Sequence, residues 1–263
     1  MIADSQGVKI GYEVTGAGEP LVLVHGLAYD RAGWGRLPEL LAQSFRVLLV
    51  DNRGVGESDE PEGPYAVSQM AADVGAVLDD AGIEQTNLFG VSLGGYIAQE
   101  FALMYPERVR KLVLVSTAPG GPQSHPMPAA GLEAFGKYPT MEREAGLRLM
   151  VENSLGARGV QDVPGLADEI FAYRLEHAPS LAAWQAQAYA GATFDAHDRI
   201  NAISTPTLVI QGGADNVVDP RNAELLADLI PNARVEIVAD RGHLLVWEDS
   251  ERVAELVTEF LQS

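Results

Sequence analysis

The stretch Gly90-Val91-Ser92-Leu93-Gly94 sets a serine between two glycines. The apolar run TNLFGV (86–91) leads into it, and the helix-periodic run GGYIAQEFALMYPERV leads away. Glycine is unfavourable inside either a strand or a helix, so these glycines predict a backbone that turns sharply. A serine at a strand-to-helix turn of this kind is held in a crowded backbone region with its hydroxyl exposed at the carboxyl edge of a sheet. The helix behind it aims free N–H groups and the positive end of its dipole at the same place, where a developing oxyanion is stabilised. That is the layout for nucleophilic attack on an acyl carbon.

A serine hydroxyl is a weak nucleophile at neutral pH and needs a base. The chain has five histidines, His25, His125, His177, His197 and His243. His243 lies in DRGHLLVWE, after the last apolar run and before the last helical one, so it is expected on a loop at the same sheet edge as Ser92. A base needs an orienting carboxylate. Asp215, in the stretch QGGADNVV that follows the run TLVI, is the first choice. Asp219 and Asp240 are its rivals: Asp219 precedes Pro220 and reads as a helix-start residue, and Asp240 reads as a turn residue. The order Ser92, Asp215, His243 is the Ser–acid–His order of one large hydrolase fold. Oxyanion donors are expected at the backbone N–H groups of Leu27, after LVLVHG, and of Leu93, after the serine. In LLVDNRGVGESD, Asp51 and Arg53 are expected to pair and brace a glycine-rich loop. That loop lacks G-x-G-x-x-G spacing and a following Lys-Ser/Thr, so a phosphate cradle is not indicated.

These residues need a scaffold that brings several strand ends together. Seven short apolar runs supply it, at 8–14, 21–26, 46–51, 86–91, 111–117, 206–213 and 233–239. Most are continuously apolar, as parallel strands covered on both faces must be. Helix-like segments alternate with them, among them VSQMAADVGAVLDDAGI, ending in Gly82, and ERVAELVTEFLQ at the C-terminus. Strand–helix alternation predicts an α/β fold with a mostly parallel central sheet. Residues 119–202 break the rhythm with PGGPQSHPMP and then Ala-, Leu- and Glu-rich helical segments. The expected division is a core over 1–118 and 203–263, with a helical cap at 119–202 inserted between two neighbouring strands. Trp184 in the cap, and Trp34 soon after HGLA, are the expected substrate-lining aromatics. Arg143, Arg148 and Arg174 lie in helical stretches and are expected on solvated faces.

At 263 residues and 47% hydrophobic content, the chain can bury a large core. Its net charge of −19 repels phosphate backbones and anionic lipid, which weighs against nucleic-acid partners. The same field disfavours anionic substrates, so a small neutral ester is the expected partner. No apolar run is long enough to predict a membrane span. The chain has no cysteine, which excludes thiol nucleophiles and cysteine-ligated metals. With no basic-then-apolar leader in MIADSQGVKIGYEV, a cytoplasmic setting is expected.

Together HGLA, DNRGVGESD, GVSLGG, PTLVIQGGAD and DRGHLLVWE make the whole chain resemble an α/β-hydrolase-fold enzyme. It is similar to small bacterial esterases, cofactor-free haloperoxidase and perhydrolase relatives, and 3-oxoadipate enol-lactonases. The resemblance implies Ser92 as nucleophile, Asp215 as acid, His243 as base, and Leu27 and Leu93 as oxyanion donors, with no cofactor. It also implies lactone opening and C–C hydrolysis as alternatives on the same triad. Epoxide hydrolases and haloalkane dehalogenases of this fold carry aspartate where Ser92 stands. Many haloperoxidase-like members carry an aromatic residue where Leu27 stands. A non-catalytic ligand receptor is the alternative from another class, and the intact Ser, Asp and His argue against it.

Overall fold

In the computed structural model the backbone of all 263 residues is described, as are all side chains except those of 158–160. The strands are β1 (Ile2–Ser5), β2 (Val8–Gly16), β3 (Glu19–Val24), β4 (Phe45–Val50), β5 (Thr86–Val91), β6 (Val109–Val115), β7 (Thr207–Gly212) and β8 (Ala233–Val238). They form one sheet in the order β1-β2-β4-β3-β5-β6-β7-β8. β1 and β2 pair antiparallel, as do β2 and β4. Every pairing from β4 across to β8 is parallel. The continuous apolar runs have the cause expected of them: every residue of β5 and β7 is buried. β1 was not among the expected strands. It has four residues of which two are polar, IADS, and exists by pairing along β2 rather than by its own pattern.

The helices are α1 (Leu37–Leu41), α2 (Val67–Asp80), α3 (Leu93–Met104), α4 (Ala129–Lys137), α5 (Arg143–Ser154), α6 (Ala157–Asp162), α7 (Leu166–His177), α8 (Leu181–Thr193), α9 (Arg221–Leu229), α10 (Leu245–Glu248) and α11 (Ser250–Gln262). One face of the sheet packs against α2, α3 and α9 through Met70, Val74, Ile97, Phe101 and Leu226. The other packs against α1, α10 and α11 through Leu37, Leu41, Leu245, Val257 and Phe260. Covering both faces commits the loops to the sheet's two ends, and ligands of such sheets bind at the carboxyl end.

β6 and β7 are neighbours in the sheet, and between them the chain runs through α4 to α8. Two long-range devices tie the glycine-rich loop after β4. Neither is the expected Asp51–Arg53 pair. Asp51 instead binds Arg31 (2.7 Å) and Arg53 binds Asp73 of α2 (2.7 Å). Two residues apart on a turning loop, the two side chains diverge and find partners from other elements.

Candidate active site

Ser92 joins β5 to α3 with φ 54° and ψ −119°, a region that costs a non-glycine residue about 1–3 kcal/mol. The surroundings hold it there. Its N–H donates to the Val115 carbonyl (2.9 Å), and its carbonyl accepts from Thr117 Oγ1 (2.9 Å). The flanking glycines are needed for space: a Cβ on Gly90 would sit 2.2 Å from the Gly94 carbonyl oxygen, and one on Gly94 2.0 Å from that of Val24. The hydroxyl stands at the carboxyl edge of the sheet, where the loops after β3, β7 and β8 meet.

His243, on the loop after β8, places Nε2 3.0 Å from Ser92 Oγ. Its Nδ1 lies 2.9 Å from Asp215 Oδ2, on the loop after β7. Asp215 is 3% exposed. Its Oδ1 accepts from the Val217 and Val218 N–H groups (2.7 and 2.9 Å), and its Oδ2 also accepts from Gln211 Nε2 (2.9 Å). An ionised carboxylate only accepts, so Nδ1 must carry the imidazole proton, and Nε2 presents its lone pair to the serine hydroxyl. The rival Asp219 faces elsewhere. It accepts from the Arg221 side chain and N–H, and that guanidinium holds its carboxyl below the usual range. Asp240 sits in a turn with φ 63°.

The other histidines are spent differently. His25 is buried, and burial pushes its ring pKa down to about 3. It therefore stays neutral, accepting from the Gly26 N–H at Nδ1 (2.7 Å) and donating from Nε2 to the Gly33 carbonyl (2.8 Å). His177 meets Asp30 (2.9 Å) and His197 meets Asp198 (3.0 Å). His125 lines a cavity and pairs through its backbone with Asn222.

Leu93 opens α3, and Leu27 follows Gly26, where an added Cβ would lie 3.0 Å from the Ser92 Cβ. Both expected donors thus flank the serine. Among the described residues neither N–H meets an acceptor.

Two cavities meet at Ser92. The larger, of about 810 Å³, is lined by Leu27, Leu93, Tyr96, Met127, Phe135 and Phe194. The smaller, of about 60 Å³, lies on the His243 side, with Tyr138, Met150, Trp184 and Arg174 in its wall. Trp184 lines this smaller cavity. Trp34, expected to line the substrate site, borders neither cavity: it is fully buried in the core beneath the sheet, edge-on to Phe89 at 5.5 Å.

Arg174 departs from expectation in the opposite sense. It is 5% exposed, lies over the Tyr29 ring at 4.4 Å and donates to the Ala28 carbonyl. Among the described residues no carboxylate pairs with it. A signal was present in the sequence. Leu166, Ile170 and Arg174 fall at i, i+4 and i+8, and all three are buried on one stripe of α7. Arg143 and Arg148 do face outward, Arg148 against Asp168.

Glu248 was missed altogether. It is 3% exposed and accepts from the N–H of Gly242 (2.9 Å), next to His243, and of Gly156 (3.2 Å), after α5. Burial pushes its carboxyl up from 4.5 to about 7, against the pull of those N–H groups and of Arg241. Because the folded value exceeds the unfolded one, the folded chain holds the extra proton between them. The associated stability is complete below about pH 4.5 and is lost as pH rises through about 7. Glu248→Gln mimics the protonated form. Relative to the parent it should gain up to about 3 kcal/mol between pH 5 and pH 8. Urea denaturation at the two pH values measures this, and a difference that does not change with pH would sink the assignment.

The family model described as the alpha/beta hydrolase fold matches residues 19–250. A 2-hydroxy-6-oxononadienedioate/2-hydroxy-6-oxononatrienedioate hydrolase of Burkholderia vietnamiensis is 35% identical, over 100% of this chain and 94% of that protein. A thermophilic esterase from Thermogutta terrifontis is 30% identical with a TM-score of 0.86, over 100% of this chain and 97% of that one. The enol-lactonase from Burkholderia xenovorans LB400 is 25% identical with a TM-score of 0.87, over the full length of both chains. The eight-stranded sheet, the strand-to-helix turn at Ser92 and the match over 19–250 agree: the chain belongs to the alpha/beta hydrolase fold family.

Proposed function

We propose that the chain is a serine hydrolase that cleaves a carboxylic ester through an acyl-enzyme on Ser92. The observation that carries this reading is the hydrogen-bonded series Ser92 Oγ, His243, Asp215, at 3.0 and 2.9 Å. His243 Nε2 takes the serine proton as Oγ attacks the acyl carbon. The carbonyl oxygen becomes an oxyanion held by the Leu27 and Leu93 N–H groups. Asp215 keeps the imidazole in the required tautomer and stabilises the imidazolium. His243 then protonates the leaving alcohol, accepts a proton from water and directs that water onto the acyl-enzyme. The helical segment 119–202 acts as a cap that roofs the two cavities. The Thermogutta terrifontis esterase supports the ester reading by likeness. A fluorophosphonate probe should label Ser92 at one equivalent, and p-nitrophenyl acetate should turn over many times. Ligand binding with neither labelling nor turnover would instead favour a receptor.

Arg174 favours a second reading, in which the substrate bears a carboxylate. A guanidinium that has no carboxylate partner among the described residues, in a small cavity beside His243, attracts an anion more strongly than the distant −19 field repels it. The 35% identical relative is named for a dioate substrate. On this reading C–O or C–C cleavage runs on the same triad, and the expectation of a neutral substrate is reversed. The measurement is kcat/KM for a matched pair of esters, one with a free carboxylate and one with its methyl ester. A preference for the carboxylate of about tenfold or more at low salt is expected, collapsing in Arg174→Gln. Equal rates for the pair, or a preference for the methyl ester, return the reading to neutral esters.

A further inference from the structure

His243 owes its place to the helical segment 119–202 as well as to its own loop. Ser154 closes α5, and the last carbonyls of a helix have no partner within it. The Ser154 carbonyl takes two from outside: the N–H of His243 (2.8 Å) and that of Leu244 (3.1 Å). Those N–H groups belong to the two peptides that meet at the His243 Cα. A residue has only two soft backbone dihedrals, so holding both planes fixes the direction in which the Cβ carries the imidazole. The peptide before them is held too, because the Gly242 N–H donates to Glu248 Oε1 (2.9 Å).

Glu248 also holds the chain just beyond Ser154. Its carboxylate accepts from the Gly156 N–H, 3.3 Å from Oε1 and 3.2 Å from Oε2. One buried side chain thus bridges the stretch leaving α5 and the stretch entering the His243 loop. The two stretches meet backbone to backbone: a Cβ on Gly156 would lie 2.6 Å from both the Gly242 nitrogen and the Asp240 carbonyl oxygen. Apolar packing completes the seat. Val151 and Leu155 meet Leu244 in a buried cluster with Leu166 and Ile170 of α7.

We infer that Glu248 is a positioning residue for His243: it joins the end of α5 to the His243 loop, so that the imidazole is aimed at Ser92 only while that end is seated. The inference rests on the proposed role of His243 as base and acid. On this reading the segment over the cavities belongs to the machinery that moves the proton, beyond its part in enclosing substrate.

The test uses Glu248→Met, which keeps length and loses both acceptors, and compares kcat/KM for p-nitrophenyl acetate and phenyl acetate. A misplacement of about 1 Å costs about 10²-fold, so a loss of about tenfold or more is expected for p-nitrophenyl acetate. Phenyl acetate should lose about threefold or more beyond that, because phenoxide, the stronger base, needs the His243 proton as it leaves and p-nitrophenoxide does not. A general loosening of the fold, or a fault in the oxyanion donors, lowers both esters alike. Glu248→Gln should stay within about threefold of the parent, since one amide oxygen at the Oε1 position reaches both N–H groups. Gly156→Ala wedges the two stretches apart with Glu248 intact, and it carries the same expectation if Glu248→Met does not fold. Glu248→Met within about twofold of the parent, equal losses for the two esters, or a Glu248→Gln as impaired as Glu248→Met overturns the inference alone. A parent protein that neither labels at Ser92 nor hydrolyses p-nitrophenyl acetate overturns the underlying reading as well.

Discussion

Ser92→Ala is expected to lower kcat by about 10⁴–10⁶-fold and to abolish fluorophosphonate labelling, with the fold intact. The loss is large because attack by Oγ starts the proposed sequence, and the groups that act as one unit with it, His243 and Asp215, have nothing left to activate. It is not total, because the Leu27 and Leu93 N–H groups and the cavity walls still bind the reacting carbonyl. Alanine keeps the Cβ that already stands at φ 54°, so the backbone strain is unchanged and thermal melting should shift little. Retention of more than about 1% of the parent's turnover in rigorously pure protein would place the nucleophile elsewhere.

How much of this site the sequence discloses depends on whether a residue's role is set locally. Ser92 follows β5 directly, Asp215 lies three residues beyond β7 and His243 five beyond β8, and parallel strands deliver their carboxyl ends to one edge. Strand ends are therefore site addresses, and three of them were legible. The placement of Leu27 and Leu93 beside the serine was readable in the same way, from nearness to β3 and to Ser92, and their part as oxyanion donors belongs to the proposal.

Residues whose roles come from other elements were not. Trp34 stands ten residues beyond Val24, the end of β3, in a stretch with no period, and nothing local says that it turns under the sheet rather than into the cavity. Asp51 and Arg53 look paired by proximity, yet their partners are Arg31 and Asp73. Gln187 sits on α8 among Ala183, Trp184, Ala186 and Ala190, all buried. A polar residue on an apolar stripe marks a buried amide but not its partners. Those lie on Ala28 and Arg53, more than a hundred residues away in the chain. Arg174 is intermediate: its stripe was readable, but its sign as a charge made solvent the natural assignment.

The acid's identity gives the second large effect. Asp215→Asn should lower kcat for p-nitrophenyl acetate by about 10⁴-fold. The size of the side chain is kept, and an amide oxygen can still accept from the Val217 and Val218 N–H groups at the Oδ1 position. The amide nitrogen then occupies the Oδ2 position, facing His243 Nδ1 and Gln211 Nε2, both of which donate to the carboxylate. Both lose their acceptor, because an amide N–H₂ cannot accept. The imidazole can escape by moving its proton to Nε2, which turns an N–H instead of a lone pair toward Ser92 Oγ. Base catalysis fails although every heavy atom is near its original place. Turning the amide the other way is worse, because its N–H₂ would meet the two backbone N–H groups. Asp219→Asn loses only a surface pair with Arg221, worth about 0–1 kcal/mol, and should leave kcat within about threefold. Asp240→Asn changes a turn residue and should likewise spare kcat. Kinetics of the three variants side by side decide the matter. If Asp240→Asn were the crippling change and Asp215→Asn mild, the proton inventory drawn for His243 would be wrong.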